Sequence, residues 1–149
     1  MKRTLLTLVA LAVSMCTIKA IDANTVEVKF NGSSASVTVA SNISTYVTVS
    51  SGTSSHVKIL QAESFAGIDA TVDNEDGEII YVLSGTSTDG QFYLEGAFKC
   101  TVELNGLTLT NPAGPAVNIQ NGKRVEVSAK NGTVNTLTDG ANEDYNGCY

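Results

Sequence analysis

The chain has 149 residues, 42% of them apolar, enough for a single domain around one continuous core. Fifteen Asp/Glu against nine Lys/Arg give a net charge of −6, which repels nucleic acid and anionic lipid and makes cations the more natural partners. One histidine and no nucleotide-binding loop leave no basis for a histidine metal pair, a catalytic triad or a phosphate cradle.

The first element is an export signal. Met1, Lys2 and Arg3 precede an apolar run from Leu5 to Met15, and Ala20 or Ala23 offers a small residue for cleavage. Eleven residues are too few to span a bilayer core, which needs about 20. The expectation is a signal peptide over residues 1–20, with cleavage as late as 23, and no membrane span. The protein would then be secreted, periplasmic or held at the cell surface. Cys16 stands where a lipoprotein cysteine would, although Met15 is a poor residue before a lipidation site.

Residues 21–76 read as an N-terminal strand-rich cap and first coils. Val26, Val28 and Phe30, then Val37 and Val39, then Val47 and Val49, then Val57 and Ile59 alternate with polar residues, the period of half-buried strands. Asn31-Gly32-Ser33-Ser34 predicts a hairpin turn between the first two runs. His56 falls in a Ser/Thr-rich turn and reads as a surface residue. An acidic link, Asp73 to Gly77, leads onward.

Residues 77–149 repeat. Val102, Glu103 and Leu104 return 23 residues later as Val125, Glu126 and Val127. Ile80 and Val82 lie 22 residues before Val102 and Leu104, and Phe92 and Leu94 lie 25 before Val117 and Ile119. Ten glycines between Gly77 and Gly147, five to ten apart, give about three corners per repeat. Pro112 and Pro115 flank Ala113-Gly114, a turn because proline is excluded from a central ladder. The expected fold is all-β, a three-sided solenoid whose coils stack into parallel sheets. Ile80, Val82, Val102, Leu104, Val125 and Val127 would fill one inner wall. Phe92, Leu94, Val117 and Ile119 would fill a second, and Leu107, Leu109, Val134 and Leu137 a third, with an offset there of about 28.

That register turns the intervening residues outward. Tyr81, Glu103 and Glu126 would share one column, beside Thr101 and Arg124. Tyr93 and Asn118 would share another, beside Glu95 and Gln120. Planar amides and carboxylates with an occasional aromatic face suit sugar hydroxyls and C–H edges, and such rows are also ordinary on an exposed sheet. The candidate carbohydrate contacts are Tyr81, Tyr93, Glu103, Asn118, Gln120, Arg124 and Glu126.

Two acidic turns are the other candidates. Asp139-Gly140-Ala141-Asn142-Glu143-Asp144 and Asp73 to Glu78 supply the hard oxygen ligands that Ca²⁺ prefers, though neither has EF-hand spacing. Cys100 and Cys148 fall on different walls and read as two unpaired thiols rather than a disulfide.

Tyr81-Val82-Leu83-Ser84-Gly85, Leu104-Asn105-Gly106, Gly114-Pro115-Ala116 and Asn135-Thr136-Leu137-Thr138-Asp139-Gly140 together resemble a family of secreted bacterial carbohydrate-binding proteins. The resemblance implies a pectate-lyase-like, right-handed parallel β-helix that binds plant polysaccharide such as cellulose and polygalacturonate, with bound calcium. It makes Asp139, Asn142, Glu143 and Asp144 the first choice for that calcium. Two departures stand out. There is no tryptophan for sugar stacking, and the chain stops at Tyr149 where such proteins continue for further coils, as a C-terminally incomplete helix would.

The function expected is an exported, non-catalytic polysaccharide-binding module assisted by calcium. One alternative is a pectate-type lyase, in which Arg124, the only arginine beyond the signal, would be the base. Another is an adhesin-like surface solenoid that self-associates through an uncapped C-terminal coil.

Overall fold

The structure, a computed structural model, describes residues 20–51, 54–65 and 77–141. The expected signal peptide, Cys16, most of the acidic link, Cys148 and the proposed ligands Asn142, Glu143 and Asp144 lie outside the described residues.

Among the described residues ten strands build two mixed sheets: β1 (Thr25–Asn31), β2 (Ser34–Val39), β3 (Val47–Ser51), β4 (His56–Gln61), β5 (Ile79–Ser87), β6 (Gln91–Gly96), β7 (Cys100–Asn111), β8 (Val117–Asn121), β9 (Val125–Ala129) and β10 (Thr136–Asp139). One sheet runs β10-β7-β5-β1-β2 with β9 also on β7, and the other runs β3-β4-β6-β8. The protein is all-β. Among the described residues the only helical element is the short 3₁₀ turn Ser41–Ile43, and no helix is long and apolar enough to cross a membrane.

Local sequence explains the two antiparallel pairs. β1 and β2 close around Gly32-Ser33, where Gly32 takes φ +64, a conformation that a two-residue hairpin needs and glycine adopts without strain. β3 and β4 pair through a register shift after Val49. Every other ladder is parallel, β1 to β5 to β7 in one sheet and β4 to β6 to β8 in the other, so the chain alternates between sheets as it advances.

The facing sides of the sheets make one core. Val26, Val28, Phe30, Tyr81, Leu83 and Val102 come from the first sheet, and Val57, Ile59, Phe92 and Leu94 from the second. Each such side chain taken from water contributes about 1.5–3 kcal/mol before chain entropy is counted. Leu107 and Leu109 extend the core along the second half of β7, beyond a bulge at Leu83/Gly85 where Asn105-Gly106 of β7 stand opposite the single Ser84 of β5. Gly85 and Gly106 both have positive φ there, and a Cβ on Gly85 would lie 2.1 Å from the Phe30 carbonyl oxygen. Only glycine fits at that bend.

Three register expectations are corrected. β5 pairs with β7 at Tyr81↔Val102 and Leu83↔Leu104, so Tyr81 is fully buried and Ile80 and Val82 face outward. Residues 79–83 are apolar on both faces, so alternation could not choose between registers; burying Ile79, Tyr81 and Leu83 removes the larger side chains from water. Next, β9 meets β7 at Cys100↔Val125 and Val102↔Val127, an offset of 25 that matches Phe92↔Val117 in the other sheet. Glu126 therefore lies beside Thr101, and Glu103 beside Ser128, rather than the two glutamates sharing a column. Last, Leu137 pairs with Leu109 as the offset of 28 requires, but Val134 is 84% exposed, and the described strands form two sheets where three walls were expected. Asn135 stands opposite Leu107 instead and accepts its N–H at 2.8 Å.

Candidate functional site

The outer face of the second sheet carries a row of polar side chains, of which Asn118 is only 8% exposed. The parallel register sets Lys58, Tyr93 and Asn118 side by side, and Leu60, Glu95 and Gln120 in the next row. Lys58 Nζ lies 4.6 Å from the Tyr93 ring centroid and 3.9 Å from Glu95 Oε2. Tyr93 donates its hydroxyl proton to the same Glu95 oxygen at 3.0 Å, and Gln120 Nε2 donates to Asn118 Oδ1 at 2.6 Å. Neighbour pairs along each strand thus hold one another flat against the sheet. A cation over a tyrosine face contributes about 0.5–1 kcal/mol at an exposed position, a modest bias on the ring's orientation.

Beyond Glu95 the face opens into a cleft of about 350 Å³ at the ends of β4 and β6. It is lined by Leu60, Gln61, Ala62 and Glu63 on one side and Glu95, Gly96 and Ala97 on the other.

The outer face of the first sheet carries a broader cleft of about 520 Å³. Ile80 and Val82 form its apolar floor, with Asp22, Glu27, Glu103, Asn105 and Lys130 around it. Glu27 and Glu103 flank Val82 in one row, and Lys130 Nζ lies 3.7 Å from Glu103 Oε1. Glu103 thus sits in a cleft as an outward residue should, with Lys130 rather than Glu126 for company.

Arg124 and Glu126 belong to a different arrangement. Arg124 Nη2 donates to Glu78 Oε1 at 2.5 Å and Nη1 donates to Glu126 Oε2 at 3.1 Å. Lys99 Nζ lies 3.4 Å from the same Glu78 oxygen. The guanidinium is occupied in tying the entry of β9 to the entry of β5, and Glu78, with a side chain 5% exposed, is the centre of the network. Sequence reasoning named the arginine and missed Glu78, which looked like one more acid in an acidic turn; it directly precedes Ile79, the ladder partner of Cys100. Cys100 is buried and free, with its thiol pushed up to about 11, first by burial and then by Glu78, against opposing effects of Asn121 and Arg124.

Tyr81 points into the core beside Phe92, with ring centroids 6.1 Å apart, and its hydroxyl has no hydrogen-bond partner among the described residues. It offers no surface to a ligand. His56 is exposed, as expected, and its Nε2 lies 3.0 Å from Asp89 Oδ1.

Asp139 closes a corner. Its Oδ1 accepts the Ala116 N–H at 2.9 Å, while Asn111, its neighbour in the ladder, donates to the Pro115 carbonyl at 2.8 Å and accepts the Ala113 N–H at 3.1 Å. Among the described residues no three His, Cys, Asp or Glu side chains come together as a metal group. Asp139 is the sole member of the expected calcium set within them.

No curated protein and no solved structure matches this chain. The profile of a family described as "Carbohydrate-binding domain-containing protein" matches residues 66–148, more than half of the sequence and including β5 to β10. The elements that carry the Tyr93–Glu95 and Asn118–Gln120 rows lie inside that match, and the chain belongs to the family of carbohydrate-binding domain-containing proteins.

Proposed function

We propose that the protein is an exported, non-catalytic polysaccharide-binding module for plant cell-wall-type glycans, binding through the outer face of the second sheet. The observation that carries the reading is the flat row Lys58–Tyr93–Asn118 with Glu95 and Gln120 beside it, in a chain of a carbohydrate-binding family. A glycan strand laid across the parallel strands would meet the tyrosine face with its C–H edges, and the amides and carboxylate with its hydroxyls. The alternation of parallel ladders between two sheets supports a pectate-lyase-like right-handed β-helix as the fold from which this face is cut. Calcium at the corner of Asp139 belongs to the proposal as a brace for the corner and for acidic sugars. Export rests on the leader-like residues 1–20.

The lyase alternative places the base at Arg124, whose half-exposed side chain sits beside the carboxylates of Glu78 and Glu126; no product in an absorbance assay for unsaturated uronate would end it. A second reading, self-association through the C-terminal coil, is favoured by Val127 of β9, which is 57% exposed among the described residues. Sedimentation at rising concentration tests it.

The test of the first reading is retention of the purified chain on insoluble cellulose and on polygalacturonate, with and without calcium. Tyr93→Ala is expected to reduce retention about tenfold while leaving the thermal midpoint within a few degrees. No retention on either material would end the reading.

A further inference from the structure

The geometry points to a second glycan surface, on the outer face of the first sheet, that takes a chain of sugars carrying free amino groups, such as β-linked glucosamine; the inference rests on the polysaccharide-binding reading above. Its place is the cleft of about 520 Å³ over β1, β5 and β7. The register sets Glu27, Val82 and Glu103 in one row across those strands, and Thr25, Ile80 and Thr101 in the next. Glu27, Ile80, Val82 and Glu103 open away from the core, whose side of the same strands holds Val26, Val28, Tyr81, Leu83 and Val102.

The floor is the first sign of a ligand. A sheet with one face in water alternates apolar residues inward with polar residues outward, yet β5 turns two branched aliphatic side chains toward solvent. The rim is the second. Asp22 and Glu27 line the cleft without an ion-pair partner among the described residues, and Glu103 has Lys130 Nζ at 3.7 Å. The lining therefore sets three carboxylates against one ammonium. Glu27 and Glu103 stand one strand to either side of Val82, so this charge is spread along the apolar floor and not gathered as a metal group. An extended ligand with an apolar face and several positive groups is complementary to it.

The chemistry of the lining selects the ligand within that class. A sugar ring laid on Ile80 and Val82 buries its C–H face there, and the Asn105 amide is placed for a hydroxyl. An amine on the ring, protonated at mildly acidic pH, supplies the charge-assisted bonds that Asp22 and Glu27 lack. N-acetylation removes that charge and a uronate reverses it. The Tyr93 face of the second sheet has no such excess, because its Glu95 already has Lys58 Nζ at 3.9 Å. Ile80, Val82, Glu103, Asn105 and Lys130 lie within the part of the chain that matches the carbohydrate-binding family, which favours a sugar over a basic peptide as the occupant.

The test is calorimetric titration of the full chain at about pH 6, where carboxylates remain charged, with glucosamine hexamer, its N-acetylated form and hexalysine. Wild type is expected to bind the glucosamine hexamer about tenfold more tightly than either of the others. Glu27→Gln, at an exposed position, should lose about fivefold of that affinity, and Val82→Thr about threefold. Glu63→Gln makes the same change of charge at an exposed position outside this cleft and should lose none. No loss in Glu27→Gln, an equal loss in Glu63→Gln, or hexalysine bound as tightly as the sugar would reduce the effect to net charge and overturn the site. Loss of glucosamine binding in Tyr93→Ala would put the ligand on the second sheet and overturn it too. Wild type that is retained on cellulose but ignores the glucosamine hexamer overturns this inference alone; wild type that binds no glycan at all refutes the polysaccharide-binding reading with it.

Discussion

Arg124 reaches back 46 residues in sequence to Glu78, with Nη2 2.5 Å from an Oε1 on a side chain that is 5% exposed. The pair joins the entry of β9 to the entry of β5 across β7, with Lys99 and Thr101 Oγ1 each 3.4 Å from the same carboxylate. The guanidinium is half exposed and only the carboxylate is buried, so removing Arg124 leaves Glu78 poorly compensated. Arg124→Ala is expected to destabilise the fold by about 2 kcal/mol, less than a wholly unpaired charge would cost because Lys99 remains. Adding Glu78→Gln should recover part of that loss, giving a measurable coupling in urea denaturation. Glycan affinity of the folded protein should not change. Weakened binding at unchanged stability would return Arg124 to the ligand surface.

Tyr81→Phe tests the corrected register of β5. The hydroxyl is buried without a partner among the described residues, so deleting it removes a desolvation cost and leaves the ring in place beside Phe92. The variant is expected to gain up to about 1 kcal/mol in stability and to bind glycan as wild type does. An outward Tyr81 would give the opposite pattern, unchanged stability and reduced binding.

Much of this architecture was legible in the sequence because the relevant residues carry one meaning. The Asn31-Gly32 turn, the proline corner, the Phe92 and Leu94 pairing with Val117 and Ile119, and the 28-residue step from Leu109 to Leu137 all stand as read. Each joins an unambiguous apolar alternation to a turn residue that cannot sit in a ladder. The misreadings arose where that condition failed. Residues 79–83 are apolar on both faces, so period two was silent, and the repeated Val-Glu of β7 and β9 suggested an offset of 23 that the corner at Asn121 does not allow. Asn121 Oδ1 accepts the Lys123 N–H at 2.9 Å and its Nδ2 donates to the Phe98 carbonyl at 2.8 Å, fixing that corner's length. The pairing of Tyr93 with Asn118 stands as read because it depends on the unambiguous ladder, although Asn118 is 8% exposed rather than open to solvent. The cleft over Ile80 and Val82 did not emerge, since it exists only in the register of β5 that period two could not choose.

Gly85→Ala probes the bend that splits β5 and β7 between two directions. Gly85 has φ +86, and the added methyl would meet the Phe30 carbonyl oxygen at 2.1 Å, a backbone atom held in the β1 ladder. The substitution combines left-handed strain with a clash that no rotamer relieves. Stability is expected to fall by about 3 kcal/mol or more, measured by urea denaturation. Gly106→Ala, with φ +70 but open space around it, should cost about 1–2 kcal/mol. Equal losses at the two positions would contradict the close approach of β5 to β1.

Alkaline pH should weaken the fold through Cys100 and Tyr81. The thiol is pushed from 9.0 up to about 11 and the phenol is raised well above its ordinary range, both chiefly by burial. Below pH 9 the folded and unfolded chains hold these protons alike and stability is at its plateau. Between about pH 9 and 11 the unfolded chain releases the Cys100 proton while the folded chain retains it, so the unfolded state gains and stability falls. Chemical denaturation across that window should show the decline in wild-type protein and a shallower one in Cys100→Ala. The thiol should also resist alkylation at pH 8 until denaturant is added.

Asp139 separates calcium binding from corner capping. Its Oδ1 accepts the Ala116 N–H at 2.9 Å, a bond that an asparagine at the position preserves and an alanine loses. Without calcium, Asp139→Asn should match wild type within about 0.5 kcal/mol, and Asp139→Ala should be about 1 kcal/mol less stable through loss of the cap. If calcium binds at this corner, adding it at a hundred times its dissociation constant should stabilise wild type by about 2.7 kcal/mol. Asp139→Asn removes the charge that an all-oxygen site depends on and should lose most of that gain. Thermal unfolding of the three proteins in chelator and in calcium reads both effects at once. An equal calcium-induced rise in wild type and Asp139→Asn would move the metal away from Asp139, and no rise in any of them would remove calcium from the binding proposal.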